Sequence, residues 1–256
     1  MGASTGIEWT DATWNPTTGC TKVSRGCDHC YAADLANVRL RDTYLRRLPV
    51  IQTTENIHDP FSVRLWPERL DQPYRWREPK MVFVNSMSDL FHADIPESFV
   101  RSVFEVMLDE PRHIYQVLTK RPARALRFFE RHIDLFINGL IPGHIWMGTS
   151  VEDQAVDYRI RQLRSLPAEM RFLSCEPLLG PIELELDGIH WVIVGGESGP
   201  KYRAMDLGSA RSIRDQCAVN GVAYFFKQIG GRTPKANGRL LDGREWNEMP
   251  GLLAAV

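Results

Sequence analysis

The sequence predicts an α/β fold, a partial (β/α) barrel of about six or seven parallel strands. Two observations carry this. From residue 80 onward, short runs rich in β-branched and aromatic residues alternate with longer amphipathic stretches. Repeated strand–helix alternation implies parallel strands joined by right-handed crossovers. Each run also begins apolar and finishes polar, as expected where a ligand sits at the C-terminal ends of parallel strands. An open doubly wound sheet satisfies the same alternation.

The strand-like runs are "MVFVNSMSD" (81–89), "HIYQVLTKR" (113–121), "HIWMGTSVE" (144–152), "RFLSCEPL" (171–178), "HWVIVGGES" (190–198) and "AYFFKQIG" (223–230). One more strand is expected near 15–20. Helices are expected over 96–110, where Phe99, Val103, Val106 and Met107 share a face, and over 122–137, which opens on a proline suited to a first turn. Two more are expected over 153–166 and 208–221, the last stopping at Asn220-Gly221. The connection from 178 to 190, "LLGPIELELDGI", is too short and too broken by Gly and Pro for a long helix, so a reduced crossover is expected there. With no solenoid repeat and no low-complexity linker, the chain reads as one domain over 1–256. It carries a cysteine loop at 15–31 and a hairpin-like extension at 231–256, where Asn237-Gly238 and Asp242-Gly243 are turn signals.

Composition narrows the function classes. At 256 residues with a formal net charge of −1, a blanket attraction to nucleic acid is not expected, although a local basic face is compatible with it. No apolar stretch approaches the ~20 residues of a membrane helix. The start, "MGASTGIEWTDATW", lacks the basic and apolar regions of a secretory signal. These features lead to the expectation of a cytoplasmic protein, where clustered cysteines bind metal or do redox work rather than form disulfides.

Three of the five cysteines fall in "TGCTKVSRGCDHCYA" (18–32), at Cys20, Cys27 and Cys30. Three readings compete. A structural zinc site needs four converging ligands; His29 completes the inventory but sits directly beside Cys30, and His58 and His92 are the other donors. Three packed thiols are the second reading. The third is an iron–sulfur cluster on three thiolates, which leaves one iron open to a small molecule.

A three-cysteine loop near the N-terminus, after a first strand and before a helix, followed by a partial barrel, resembles the radical S-adenosylmethionine superfamily. The resemblance implies that Cys20, Cys27 and Cys30 hold a 4Fe–4S cluster whose open iron is chelated by S-adenosylmethionine. One-electron reduction then cleaves the sulfonium to a 5′-deoxyadenosyl radical. Cys27-Asp28-His29-Cys30 matches the C-x2-C half of the motif, and His29 takes the ring position near the adenine. The first gap, "TKVSRG", is six residues where the family usually has three. The glycine-rich motif after the second strand is replaced by "VNSMSD", so Asn85 and Ser86 would receive the methionine amino group. More narrowly, nearly the full length resembles a phage-associated bacterial family of undefined function. The shared motifs include "GCDHCYA", "VFVNSMSDLFH", "LTKRP", "GTSVE", "FLSCEPLLGP", "WVIVGGESGP" and "FFKQIGG".

Under this resemblance Asn85, Ser86, Ser150, Glu152, Glu197 and Ser198 join His29 as candidate cofactor-binding residues. Lys120, Arg121, Glu176 and Lys227 are expected to face substrate. Lys120, Arg121, Arg203 and Lys227 suit an anionic ligand, so a nucleic-acid substrate such as a damaged base is an expected partner, with an electron donor such as flavodoxin or ferredoxin. The competing function is a non-catalytic nucleic-acid-binding module stabilised by zinc or an iron–sulfur centre. Its nucleic-acid face would be the arginine row Arg124, Arg127 and Arg131, which otherwise is a solvated helix surface. Trp9 and Trp14 anchor the N-terminal segment or wall the site. Cys175 and Cys217 read as packed thiols. Segment 58–79, rich in Pro and aromatics, is a lid or a connection.

Overall fold

The computed structural model describes residues 5–46 and 58–251. The opening "MGAS" and the last five residues of the 231–256 extension lie outside the described residues. In chain order the strands are β1 (Ala12–Trp14), β2 (Thr17–Thr18), β3 (Arg64–Leu65), β4 (Met81–Val84), β5 (Ile114–Thr119), β6 (Ile141–Ser150), β7 (Ala168–Cys175), β8 (Trp191–Gly195) and β9 (Ala223–Gln228). The α-helices are α1 (Tyr31–Asn37), α2 (Arg41–Arg46), α3 (Glu97–Asp109), α4 (Pro122–Arg131), α5 (Tyr158–Arg164) and α6 (Leu207–Asn220). The main sheet has seven strands in the order β1-β4-β5-β6-β7-β8-β9, every neighbouring pair parallel.

The sheet curls into a partial barrel. Trp9, just ahead of β1, packs its ring 6.1 Å from Trp191 on β8. Those strands are five places apart, about 24 Å in a flat sheet at ~4.8 Å per strand. Only a curled sheet brings them together. Alternation along the strands then sorts the side chains. The inward set forms one buried cluster of Trp9, Phe83, Trp146, Met170, Phe172, Trp191, Ile193 and Phe225. The outward set, including Val82, Val84, Tyr115, Val117, Leu173 and Val194, packs under the helices.

The inner cluster floors the barrel toward the strand N-termini, and the next inward positions are small or polar. Gly148 on β6 shows how tight the floor is. A Cβ there would lie 2.4 Å from Phe172 Cζ on the adjacent strand. Gly148→Ala is expected to destabilise the fold by about 1–3 kcal/mol through overpacking. Thermal melting checks this, and a melting temperature equal to that of the wild type refutes the tight floor.

Several elements depart from the sequence expectation. The strand expected near 15–20 joins the main sheet earlier, at Ala12–Trp14. Pro16 has no N–H for a ladder, and the following Thr17–Thr18 pairs antiparallel with Arg64–Leu65 instead. The helix expected to 137 stops at Arg131. Beyond it the chain makes short 3-10 turns so that Phe136 can pack on Phe104 and Phe129, at 5.9 and 5.4 Å. The helix expected over 153–166 shortens to α5, after a 3-10 turn capped by Asp153. The crossover from 178 to 190 is helix-free. Residues 58–79 form a packed connection: Trp66 Nε1 donates to Thr18 Oγ1 at 2.9 Å, and Trp14 Nε1 donates to Arg69 O at 2.7 Å.

Cys175 and Cys217 are buried. In the arginine row, Arg131 pairs with Glu97, Arg124 donates to Ile95 O, and Arg127 is exposed. Residues 246–248 run along the outer edge of β9, where Phe226 N donates to Trp246 O and Glu248 N to Tyr224 O. No helix among the described residues is long and apolar enough to cross a membrane.

Candidate functional site

The three thiols lie on the loop between β2 and α1. Gly19 N bonds Met87 O at 2.9 Å and Cys20 N bonds Phe61 O at 3.2 Å, so the start of the loop is held from both sides. Cys27 ends a 3-10 turn over Arg25–Cys27, and Cys30 is the residue before α1. Burial pushes the Cys20 thiol up to about 11; the Asp89 carboxylate adds to this, and the Arg121 guanidinium opposes it. Burial also raises Cys30, opposed by the amides of Ala33 and Ala32. Cys27 acts electrostatically on both. Among the described residues, no group of three or more His, Cys, Asp or Glu side chains is placed to hold one metal ion.

Charged side chains from successive strand ends pin this loop. At the end of β4, Asp89 accepts from Thr119 Oγ1 at 2.7 Å, Lys120 N at 3.0 Å and Arg121 Nη1 at 3.0 Å. Arg121 carries the connection onward, donating to Cys20 Sγ at 3.4 Å and to Thr21 O at 3.0 Å. At the end of β6, Glu152 is 1% exposed. It accepts from Ser24 Oγ at 3.0 Å and Arg159 Nη1 at 3.0 Å, and pairs with Lys120. Burial alone would raise this carboxyl, but the Lys120 and Arg159 charges hold it below the ordinary range. The contact with the loop is close: a Cβ on Gly26 would lie 2.4 Å from Glu152 Cγ. At the end of β8, Glu197 lies 3.0 Å from His29 Nδ1 and binds Arg203, which also donates to Arg25 O at 2.9 Å. Burial pushes Glu197 up, and the hydrogen bonds from Arg203 and His29 bring it below the ordinary value.

The remaining expected residues fall around the same rim. Asn85 is 2% exposed, sits at φ 61, and both polar atoms of its carboxamide lack a partner. An unpaired buried amide is costly to keep, and Asn is among the few residues suited to this backbone region. Ser86 Oγ bonds the side chain of Asn15, at 3.2 Å. Ser150 is buried, and its carbonyl accepts from Arg159. Glu176 pairs with Lys227 at 2.8 Å across the ends of β7 and β9. Ser198 Oγ accepts from Gln228 Nε2 at 2.8 Å.

The structure therefore gathers the expected residues at one end of the barrel. It also pairs most of the charged ones with each other. Lys120, Arg121, Arg203 and Lys227, expected to suit an anion, each have a carboxylate partner. His92, a suggested fourth zinc ligand, instead meets Thr21 Oγ1 through Nε2 at 2.8 Å and accepts from Asp94 N through Nδ1. His58 is exposed. Sequence reasoning missed Ser24, Gly26 and Arg159 as parts of the site. Arg159 left a trace, because it lies with Val156, Ile160 and Leu163 on one helical stripe, where a charge needs a buried partner.

No curated protein matches the chain. A solved spore photoproduct lyase complexed with dinucleoside spore photoproduct is similar at 12% identity and TM-score 0.49, covering 84% of this chain and 63% of that one. A cysteine-to-alanine mutant of spore photoproduct lyase, also with dinucleoside spore photoproduct, is similar at 12% identity and TM-score 0.43, with the same coverage. The chain thus spans less than two thirds of the length of these structures. A family model described as "Protein of unknown function (DUF5131)" matches residues 4–250. By that match, which takes in the cysteine loop and every strand of the barrel, the chain belongs to the DUF5131 family.

Proposed function

We propose that the protein is a radical S-adenosylmethionine enzyme with its cluster on Cys20, Cys27 and Cys30. The observation that carries this is the cysteine loop itself, pinned over the polar mouth of a partial barrel by Arg121, Glu152 and Glu197. The donor set fits the group. Cys20, Cys27 and Cys30 stand on one loop, and Cys27 acts electrostatically on the other two. A cluster takes each thiolate on a different iron, whereas structural zinc needs four ligands on one point. When bound there, the cluster and S-adenosylmethionine supply reductive cleavage of the sulfonium to a 5′-deoxyadenosyl radical.

The chain's own groups bind, orient and shield. The unpaired Asn85 carboxamide offers a donor and an acceptor to the amino-acid part of the cofactor. Ser86 and Ser150 lie on the same rim. Glu152 and Glu197 support this site by holding the loop, and Glu197 fixes the His29 ring, which would serve the adenine of the bound cofactor. Ser198 belongs to the outer rim. Glu176 and Lys227 face the lumen where a substrate group would sit. A nucleic acid carrying an altered base is the substrate class that goes with this reading, with a low-potential flavodoxin or ferredoxin as electron donor. Because the strand-end charges are paired, such a base would meet hydrogen-bonding groups rather than a free basic track.

The test is anaerobic. Reconstituted with iron and sulfide, reduced, and given S-adenosylmethionine, the wild-type chain is expected to release 5′-deoxyadenosine and methionine. A colourless, zinc-loaded protein that forms neither product overturns the reading.

A further inference from the structure

Arg121 is spent inside the protein. Its Nη1 donates to Cys20 Sγ at 3.4 Å and to Asp89 Oδ2 at 3.0 Å. Its Nη2 donates to Thr21 O at 3.0 Å and Thr21 Oγ1 at 3.1 Å. Those four contacts occupy the terminal N–H groups of the guanidinium fork. The side chain is 14% exposed, so water screens its charge poorly. Both ends of the arrangement are braced: His92 meets Thr21 Oγ1 at 2.8 Å, and Thr119 and Lys120 N donate to Asp89. The cation is held on the sulfur rather than aimed at the lumen.

We propose that Arg121 sets the reduction potential of the cluster through Cys20, with Asp89 as its counterweight, so that it is a positioning residue and not a substrate ligand. The inference rests on the radical reading above. Reduction adds one electron, drawn from a low-potential one-electron donor such as dithionite, and no bond is made or broken. The added negative charge spreads over the cluster and its thiolates. A charged N–H···S bond stabilises it and raises the potential. Asp89 shares the same nitrogen and acts on Cys20 with the opposite sign. One sulfur therefore sits under a cation and an anion that share one hydrogen-bond donor.

Four reconstituted proteins test this: wild type, Arg121→Met, Arg121→Lys and Asp89→Asn. Each is assayed for iron and sulfide, then titrated with dithionite under electron paramagnetic resonance. Arg121→Met is expected to lower the ratio of reduced to oxidised cluster about tenfold at a fixed donor potential, equivalent to about 59 mV for one electron. Asp89→Asn is expected to move the ratio the other way, and Arg121→Lys to fall between wild type and Arg121→Met. General loosening of the loop does not produce opposite signs from two partners of one nitrogen. Should Arg121→Met lose its iron, the Lys and Asn variants carry the same comparison. Loaded variants with the wild-type potential, or shifts of one sign, overturn the role of Arg121 alone. A wild-type chain that takes up no iron and sulfide overturns the radical reading, and this inference with it.

Discussion

Glu152→Ala is expected to cost about 3–5 kcal/mol of stability, the usual loss when one partner of a buried ion pair is removed. For a chain of this size that corresponds to a fall in melting temperature of roughly 10 °C. The size follows from what would be left behind. The Arg159 side chain is 2% exposed and donates to Glu152 Oε2 at 3.0 Å. Without the carboxylate, a guanidinium stays in the barrel wall with no counter-charge. Lys120 loses its partner, and Ser24 loses its acceptor on the cysteine loop. The double variant Glu152→Ala/Arg159→Met is expected to lose less than the single one, because it removes the stranded charge. Acid acts on the same clamp. The folded-state pKa of Glu152 is depressed, so its contribution is complete above the unfolded carboxylate value of about 4.3 and is lost as pH falls through the lower folded value. Melting curves of the two variants give the answer; a single variant as stable as wild type removes the clamp from the account.

Cys27→Ala is expected to abolish iron–sulfur loading and 5′-deoxyadenosine formation while leaving the fold intact. Cys27 closes a 3-10 turn, and its sulfur meets Ser24 Oγ only at 3.9 Å. Cys27 is only partly buried and little packing is lost with it, so the stability change is expected to stay within about 1 kcal/mol. Cys20 and Cys30 alone cannot complete a three-thiolate set. Iron content, visible absorption and product assay report the loss, and a circular-dichroism melt reports the fold. A variant that keeps its iron and its product assigns the cluster elsewhere.

The barrel was legible in the sequence because its strands announce themselves twice, by β-branched apolar cores and by polar ends. The runs were read too long for the same reason. In "MVFVNSMSD" the strand ends at Val84, and Asn85 turns the chain out of the ladder at φ 61. The first strand was misplaced because Thr17 and Thr18 do form a strand, but with a partner some 45 residues on, which local pattern does not report. The site residues were legible as a set and not as partners. Lys120, Arg121 and Lys227 read as free cations because their carboxylates come from other strands. Arg203 read so although its partner, Glu197, stands only six residues away. Pairing between strand ends follows from strand order in the sheet, and that of Arg203 from the turn after β8, neither of which local pattern reports.

The aromatic floor fixes the traffic of any reaction in this barrel. With Trp9, Phe172 and Trp191 packed across the lower lumen, the molecules that the proposed reaction would take in have the rim beneath the cysteine loop as their way of approach. Under the proposed function, a polymer would present a protruding unit to that rim rather than pass through the aromatic floor. The level at which tryptophan gives way to Gly148 and Asn85 would then bound how deep a substrate of the proposed reaction could reach.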